Sequence, residues 1–277
     1  MIGQRRRPSR PACKAYSADA AAAHFINATL AKAIEGRDAL GVPAAHEAML
    51  RRIRNIGRAG LVATAISAVD FALWDLKGKL LNQPTVSLLG AARDAGPVYG
   101  SGGFTSYTIP RLQEQLRGWA GQGMRWVKMK AGTRPEEDPA RVMAARQAIG
   151  NTPLFVDGNG AYSRKQALGL AKIFAGEGVV YFEEPVSSDD LDGLRLIRDC
   201  ALPGMQIAAG EYGYDICYFR RMLEAGATDV QQADGTRCLR LTGFLQADAP
   251  CTAFSLPLSA HCAPALHLHA ALAAHSL

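Results

Sequence analysis

The sequence predicts an α/β protein: a modified parallel β/α barrel, incomplete at its last strand, behind a mostly helical N-terminal segment. Three observations carry this. Short apolar runs ending in charged residues recur at Val127-Lys128-Met129-Lys130, Phe155-Val156-Asp157-Gly158-Asn159, Tyr181-Phe182-Glu183-Glu184-Pro185 and Ala208-Ala209-Gly210-Glu211. Helix-like segments of about twenty residues separate them, which is the alternation of parallel strands and crossover helices. The chain has 277 residues and 48% hydrophobic content, enough for one barrel with a sizeable core.

The elements follow in order. Residues 1–17 carry Arg, Pro and Ser without apolar periodicity and read as a disordered basic tail. Residues 18–37 place Phe25, Ile26, Leu30, Ala33 and Ile34 at helical spacing, with Asp19 as a candidate cap. Pro43 to Arg54 reads as a second helix ended by Gly57 and Gly60. In the apolar helix from Val62 to Leu81, Ile66, Val69, Leu73, Leu76 and Leu80 mark the expected buried face. Asp70 and Asp75 within it are read as hydrogen-bonding or ion-pairing groups of a helical layer.

Strands are then expected at Val98–Gly103, Val127–Lys130, Leu154–Asp157, Val179–Glu183, Gln206–Glu211, Asp229–Asp234 and Leu256–His261. Helices are expected between them at Ile109–Gln122, Asp138–Ile149, Ser163–Ala175, Asp190–Arg198 and Ile216–Ala225, another starts with Leu241 to Ala247, and a last one is expected at Ala265–Ala274. This makes seven β/α steps, with no eighth strand. The expected division is a basic tail at 1–17, a helical domain at 18–95 and the barrel at 96–277.

The net charge of +6 is concentrated in Arg5, Arg6, Arg7, Arg10 and Lys14 and in Arg51, Arg52, Arg54 and Arg58. Without zinc-finger spacing or an RNP-like aromatic run, these read as solvated charge, not as a nucleic-acid surface. No apolar run approaches the length of a membrane span. The six cysteines, Cys13, Cys200, Cys217, Cys238, Cys251 and Cys262, contain no C-x-x-C pair, and no secretory signal precedes them. Reduced thiols in a cytoplasmic protein are expected.

The chemistry is expected at the C-terminal strand ends, which share one mouth of a barrel. Asp157, Glu183 and Glu211 end successive strands, 26 and 28 residues apart. Carboxylates held together repel unless a cation neutralises them, and hard oxygen donors favour Mg²⁺. Lys128 and Lys130 lie two apart, so both project from one strand face. An ammonium beside a second ammonium and a divalent cation is expected to have a lowered pKa and to serve as a base. A Schiff-base lysine is the rival reading, but it needs no facing carboxylates. Asp234 and His261 end the next two strands and read as a carboxylate-oriented acid/base. His267, His269 and His275 are read as surface or packing residues.

The ordered set Lys128-Met129-Lys130, Val156-Asp157-Gly158-Asn159, Phe182-Glu183-Glu184-Pro185, Gly210-Glu211, Asp234 and Ser259-Ala260-His261 resembles the enolase superfamily. More narrowly it resembles the mandelate racemase and acid-sugar dehydratase group. The stretch from Ala65 to Lys79 is similar to that group's capping-domain helix, and the resemblance runs from about residue 30 to 270. It implies an α+β capping domain over a modified barrel, and Mg²⁺ held by Asp157, Glu183 and Glu211. It implies Lys130 as the base on one face of an enediolate-forming carboxylate substrate, with Lys128 beside the metal-bound carboxylate. His261, oriented by Asp234, serves the other face, and Asn159 supports the metal shell. A lysine or histidine base acting with Mg²⁺ is the general pattern of that superfamily.

Three departures are expected to matter. The capping segment lacks the N-terminal strands of the group. Leu239-Arg240 replaces the usual glycine pair after the strand-six Asp, so Arg240 is expected to distort the site. The chain ends before the strand that carries a further Glu, and loss of such a group costs roughly 10²–10³ in rate. Three functions therefore stand: dehydration of a sugar acid to a 2-keto-3-deoxy acid, racemisation or epimerisation of a 2-hydroxy acid on the same site, and a catalytically inactive homologue. A small carboxylate substrate, no nucleic acid, no membrane and self-association through the open sheet edge are the expected partner properties.

Overall fold

The computed structural model describes residues 18–277, so the expected basic tail lies outside the described residues. The first helical run is α1 (Asp19–Phe25), a π-helical stretch (Ile26–Leu30) and α2 (Ala31–Ile34). Asp19 is the first helical residue and not the cap, which is Ala18. There its charge still faces the positive end of the helix dipole. α3 (Val42–Arg52), α4 (Leu61–Leu81) and the short α5 (Thr85–Leu89) complete this helical part.

The buried face of α4 is the expected one at Ile66 and Val69 but not in the second half of the helix. Ile66, Asp70, Trp74 and Gly78 are buried, whereas Leu76 is 41% and Leu80 59% exposed. Partners far along the chain set this rotation. Asp70 accepts a hydrogen bond of 2.6 Å from the Thr242 hydroxyl, and the Trp74 indole donates to the same oxygen of Thr242 at 3.2 Å. Gly78 packs against the following turn, where a Cβ would stand 2.8 Å from the Gln83 carbonyl. Asp75 instead pairs with Lys79 at 2.5 Å on the outer side.

The sheet part runs β1 (Gly100–Gly102), α6 (Ile109–Gly121), β2 (Val127–Lys130), α7 (Asp138–Ile149), β3 (Leu154–Asp157), α8 (Arg164–Gly176) and β4 (Val179–Glu183). It continues with α9 (Leu191–Cys200), β5 (Gln206–Ala209), α10 (Ile216–Glu224), β6 (Val230–Ala233), α11 (Arg240–Ala253), β7 (Leu258–Ala260) and α12 (Pro264–Ala273). Side-chain caps fix several helix starts: Ser163 and Gln166 form a capping box on α8, and Asp190 and Asp215 cap α9 and α10. α11 starts within one residue of the expected Leu241 and carries Pro250 within it.

The seven strands form one parallel sheet in the order β1-β2-β3-β4-β5-β6-β7, so sequence neighbours are space neighbours throughout. Val127, Met129, Val156 and Phe182 point outward to pack on Leu112, Leu116, Val142, Phe174 and Leu194 of the surrounding helices. The alternate residues point inward, as the two-residue period of a strand requires. Phe155 stacks on Tyr181 with ring centroids 4.5 Å apart and tilts against Tyr99 at 5.4 Å, forming an aromatic floor. Register then places the charges side by side above it: Lys130 pairs with Asp157, and Asp157 with Glu183. Among the described residues no helix is long and apolar enough to cross a membrane.

Candidate active site at the strand ends

Lys128 is the deepest polar group of the site, 1% exposed, with its ammonium 5.4 Å from the Tyr99 ring centroid. Its Nζ donates to both oxygens of Glu183, at 2.6 and 2.5 Å, and lies 3.4 Å from Asp157 Oδ2. Lys130, nearer the mouth, donates to the same Asp157 oxygen. The Asn159 amide donates to the other oxygen, Oδ1, at 2.9 Å, from a left-handed residue with φ of 46°. The Asn159 side chain is exposed, so its contact with the carboxylate is through the backbone.

These contacts set the charge states. Burial works against an ionised Asp157, but Lys128 and Lys130 hold it well below the usual carboxylate range. Burial and the nearby Asp157 push Glu183 up to about 7. Burial is the largest single influence and opposes the Lys130 charge, but Asp157 and Glu183 together offset it and Lys128 and leave the ammonium above its ordinary value. The expected lowering concerns an ammonium facing a divalent cation, whereas the group in contact with Lys130 here is the Asp157 carboxylate.

The opposite side is built on β5, β6 and β7. The chain turns at Gly210 with φ of 133°, and a Cβ there would meet the Gln232 carbonyl at 2.1 Å. That bend aims Glu211 across the mouth. His261 follows β7 directly, with Nδ1 3.0 Å from Asp234 Oδ2 and Nε2 2.6 Å from Glu211 Oε2. Asp234 Oδ1 accepts from the Thr236 amide and hydroxyl, both at 2.7 Å. Burial opposes protonation of His261, but its hydrogen bonds to Asp234, Cys262 and Glu211 raise it to about 12. Against burial, His261 and Thr236 hold Asp234 down to about 2.

All the predicted site residues thus meet at one place. Residues 111–277 match the family described as "Enolase C-terminal domain-like". Residues 11–90 match "Mandelate racemase / muconate lactonizing enzyme, N-terminal domain". The chain belongs to the mandelate racemase/muconate lactonizing enzyme family of the enolase superfamily.

Within this family, a mandelate racemase/muconate lactonizing enzyme-like protein from Rubrobacter xylanophilus superposes with a TM-score of 0.91 at 52% identity, over 94% of this chain and 72% of that one. A 3,6-anhydro-alpha-L-galactonate cycloisomerase of Streptomyces coelicolor is 33% identical over 91% of this chain and 70% of its own length. The L-talarate/galactarate dehydratase of Salmonella typhimurium, liganded with Mg and L-lyxarohydroxamate, superposes with a TM-score of 0.83 at 28% identity, over 93% of this chain and 66% of that one. The chain spans about half the length of several other curated relatives.

The donor set suits a family cation. Asp157 and Glu183 are fully buried and Glu211 is 2% exposed. Atoms of Glu183, Glu211 and His261 lie within 4.8 Å of one another. Glu184 adds another buried carboxylate, whose oxygens find no well-formed hydrogen bond. Burial, with Glu211 and Asp157 nearby, pushes it up to about 9. Such crowded negative charge is stabilised by a hard divalent ion.

Three features escape sequence reasoning. Arg237, 5% exposed, donates from Nη1 to the Glu211 carbonyl at 3.0 Å, and its Nε lies 3.6 Å from Asp234 Oδ2. Glu184 stands beside Glu183 in the same short motif, and nothing in the spacing marks it as a buried carboxylate of the site. His267, expected at the surface or in packing, is packed against Phe244 and 2% exposed, but its place beside Asp234 is not marked in the sequence. Arg240, expected to distort the site, stands in a turn whose backbone is strained for residues that carry a Cβ. Leu239 and Arg240 take φ of 66° and 68°, the backbone that glycines would adopt, and the Arg240 guanidinium lies 3.9 Å over the Phe71 ring of α4. Left-handed residues of this kind cost about 1–2 kcal/mol each.

Proposed function

We propose that the chain removes the proton α to the carboxylate of a sugar acid with the help of Mg²⁺, and that dehydration to a 2-keto-3-deoxy acid is the overall reaction. One observation carries this reading: a lysine and an Asp-oriented histidine flank a buried carboxylate cluster from opposite sides. Asp157, Glu183 and Glu211 would hold Mg²⁺. The bound ion would supply Lewis-acid neutralisation of the charge that builds on the substrate carboxylate.

The side chains divide the remaining work. Lys130 is the base on the β2 side, 17% exposed where Lys128 is sealed. Lys128 keeps Glu183 oriented and places a positive charge beneath the substrate carboxylate. His261 carries a proton on the β7 side, and Asp234 holds its Nδ1 so that Nε2 faces the site. In a dehydration that proton goes to the departing β-hydroxyl. The imidazole is a poorer partner for Mg²⁺ than oxygen donors are, which assigns His261 to proton transfer and not to the metal. Asn159 steadies Asp157 through its amide. Residues 18–95 would form the mostly helical cap and 96–277 the barrel part.

The test is incubation of the purified chain with Mg²⁺ and galactarate, D-gluconate or arabinonate, with products read by NMR. A 2-keto-3-deoxy acid supports dehydration. A stereoisomer of the substrate would replace dehydration by racemisation or epimerisation. Folded, Mg²⁺-loaded protein that changes none of these probes counts against the proposal and for the inactive homologue.

A further inference from the structure

His267 lies on the first turn of α12, outside the group assigned to proton transfer or metal binding. Its two ring nitrogens have partners of fixed polarity. Nδ1 is 3.0 Å from the Ala263 carbonyl oxygen, which can only accept. Nε2 is 2.6 Å from the Gly235 amide, which can only donate. Nδ1 must therefore carry the proton and Nε2 must be bare. The ring is 2% exposed and lies with its centroid 5.7 Å from that of Phe244, so water does not offer either nitrogen another partner.

Gly235 follows Asp234 directly. Its amide reaches the imidazole because no side chain intervenes; a Cβ on Gly235 would stand 3.0 Å from Nε2. The next residue, Thr236, supplies the two hydrogen bonds to Asp234 Oδ1. One turn therefore carries the carboxylate, its local donors and the amide that His267 accepts. The groups facing the ring are Asp234, with Oδ1 3.7 Å from Nε2, and the charges of Arg240 and His261. Burial leads in holding His267 below its ordinary histidine value, which agrees with the polarity of its partners.

We propose that His267 is a positioning residue: locked as a neutral imidazole protonated on Nδ1, it anchors the Gly235 amide and so fixes the Asp234 carboxylate that orients His261. The same residue type thus meets partners of opposite kind within one site. His261 meets two carboxylates, while His267 meets a carbonyl and an amide. The catalytic value of this anchoring rests on the function proposed above.

The test is ring-nitrogen NMR of the full chain labelled at histidine, in the wild type and in H267F and H267Q. Wild-type His267 is expected to show a protonated Nδ1 and a bare Nε2 with no titration between about pH 5.5 and 8.5. A His267 that titrates in that range, or that is protonated on Nε2, overturns the proposal whether or not any variant folds. In H267F, which has no acceptor for Gly235, the Nδ1 proton signal of His261 is expected to shift. In H267Q, whose side-chain oxygen can accept at similar reach, it is expected to return. Equal His261 signals in all three proteins also overturn the proposal.

Galactarate turnover is read separately. With turnover, H267F is expected to lower kcat by about tenfold or more with KM little changed, and H267Q to recover it. An equal kcat in all three proteins contradicts the anchoring role. Absence of wild-type turnover on every sugar acid refutes the proposed function, while the NMR signals still decide the anchoring of Gly235 by themselves.

Discussion

Lys128 binds both oxygens of Glu183, at 2.6 and 2.5 Å, with both side chains sealed from solvent. The same ammonium reaches Asp157 at 3.4 Å. One buried cation therefore serves two buried carboxylates, and its loss leaves both short of compensation. Lys128→Met is expected to destabilise the metal-free protein by about 3–5 kcal/mol, the range for removing one partner of a buried pair. Millimolar Mg²⁺ is expected to restore much of that loss. Urea unfolding with and without Mg²⁺ checks this, and a variant as stable as wild type without the ion would contradict the sharing of one cation.

Lys130 is expected to behave differently, because its contact is with Asp157 alone and it stands nearer the mouth. Lys130→Ala is expected to lower α-proton exchange by roughly 10²–10⁴, the usual share of a general base. Its affinity for Mg²⁺ should be kept or improved, since the variant removes one of the two ammonium groups that meet Asp157 Oδ2. Calorimetric Mg²⁺ titration beside the exchange assay separates the two effects. Retained exchange would remove Lys130 from the role of base.

Asp157→Asn is expected to weaken Mg²⁺ binding by at least about tenfold, because the amide is uncharged and presents one oxygen where the carboxylate presents two. An unchanged titration would take Asp157 out of the ligand set and favour the Glu183, Glu211 and His261 grouping that lies within 4.8 Å.

Asp70 ties the helical part to the sheet part through Thr242, and His46 Nδ1 stands 3.4 Å from the same carboxylate. Asp70→Ala is expected to cost about 1–3 kcal/mol, the penalty for leaving buried polar partners unmatched. Denaturant midpoints measure it. Asp75→Ala, on the exposed side of the same helix, is expected to change stability by less than about 1 kcal/mol.

Much of this is legible in the sequence, for reasons particular residues make plain. β2, β3 and β4 end where expected because Lys130, Asp157 and Glu183 each close an apolar run, and parallel register then sets them side by side. α8 starts where Ser163 is expected to cap it, and Gln166 completes a capping box. The rest depends on partners distant in the chain. The buried face of α4 follows Asp70 and Trp74 to Thr242, contacts 172 and 168 residues away, which apolar periodicity cannot reveal. α11 passes through Pro250, a residue that removes a backbone donor and ordinarily kinks or ends a helix. His267 gives no spacing signal because its partners are backbone groups, one of them made reachable by Gly235. Arg237 has a weak signal in its place three residues after Asp234.

The central claim is that this strand-end cluster removes a proton α to a carboxylate. The most direct measurement follows the α-proton signal of galactarate in D₂O with the folded chain and Mg²⁺, beside Lys130→Ala and His261→Asn. Loss of that signal is predicted with wild type, by exchange or by conversion, and its persistence with Lys130→Ala. His261→Asn is predicted to retain exchange at the Lys130 face while losing product. A signal that persists with the wild-type protein for galactarate, D-gluconate and arabinonate alike, although Mg²⁺ raises the protein's melting temperature, would contradict the claim.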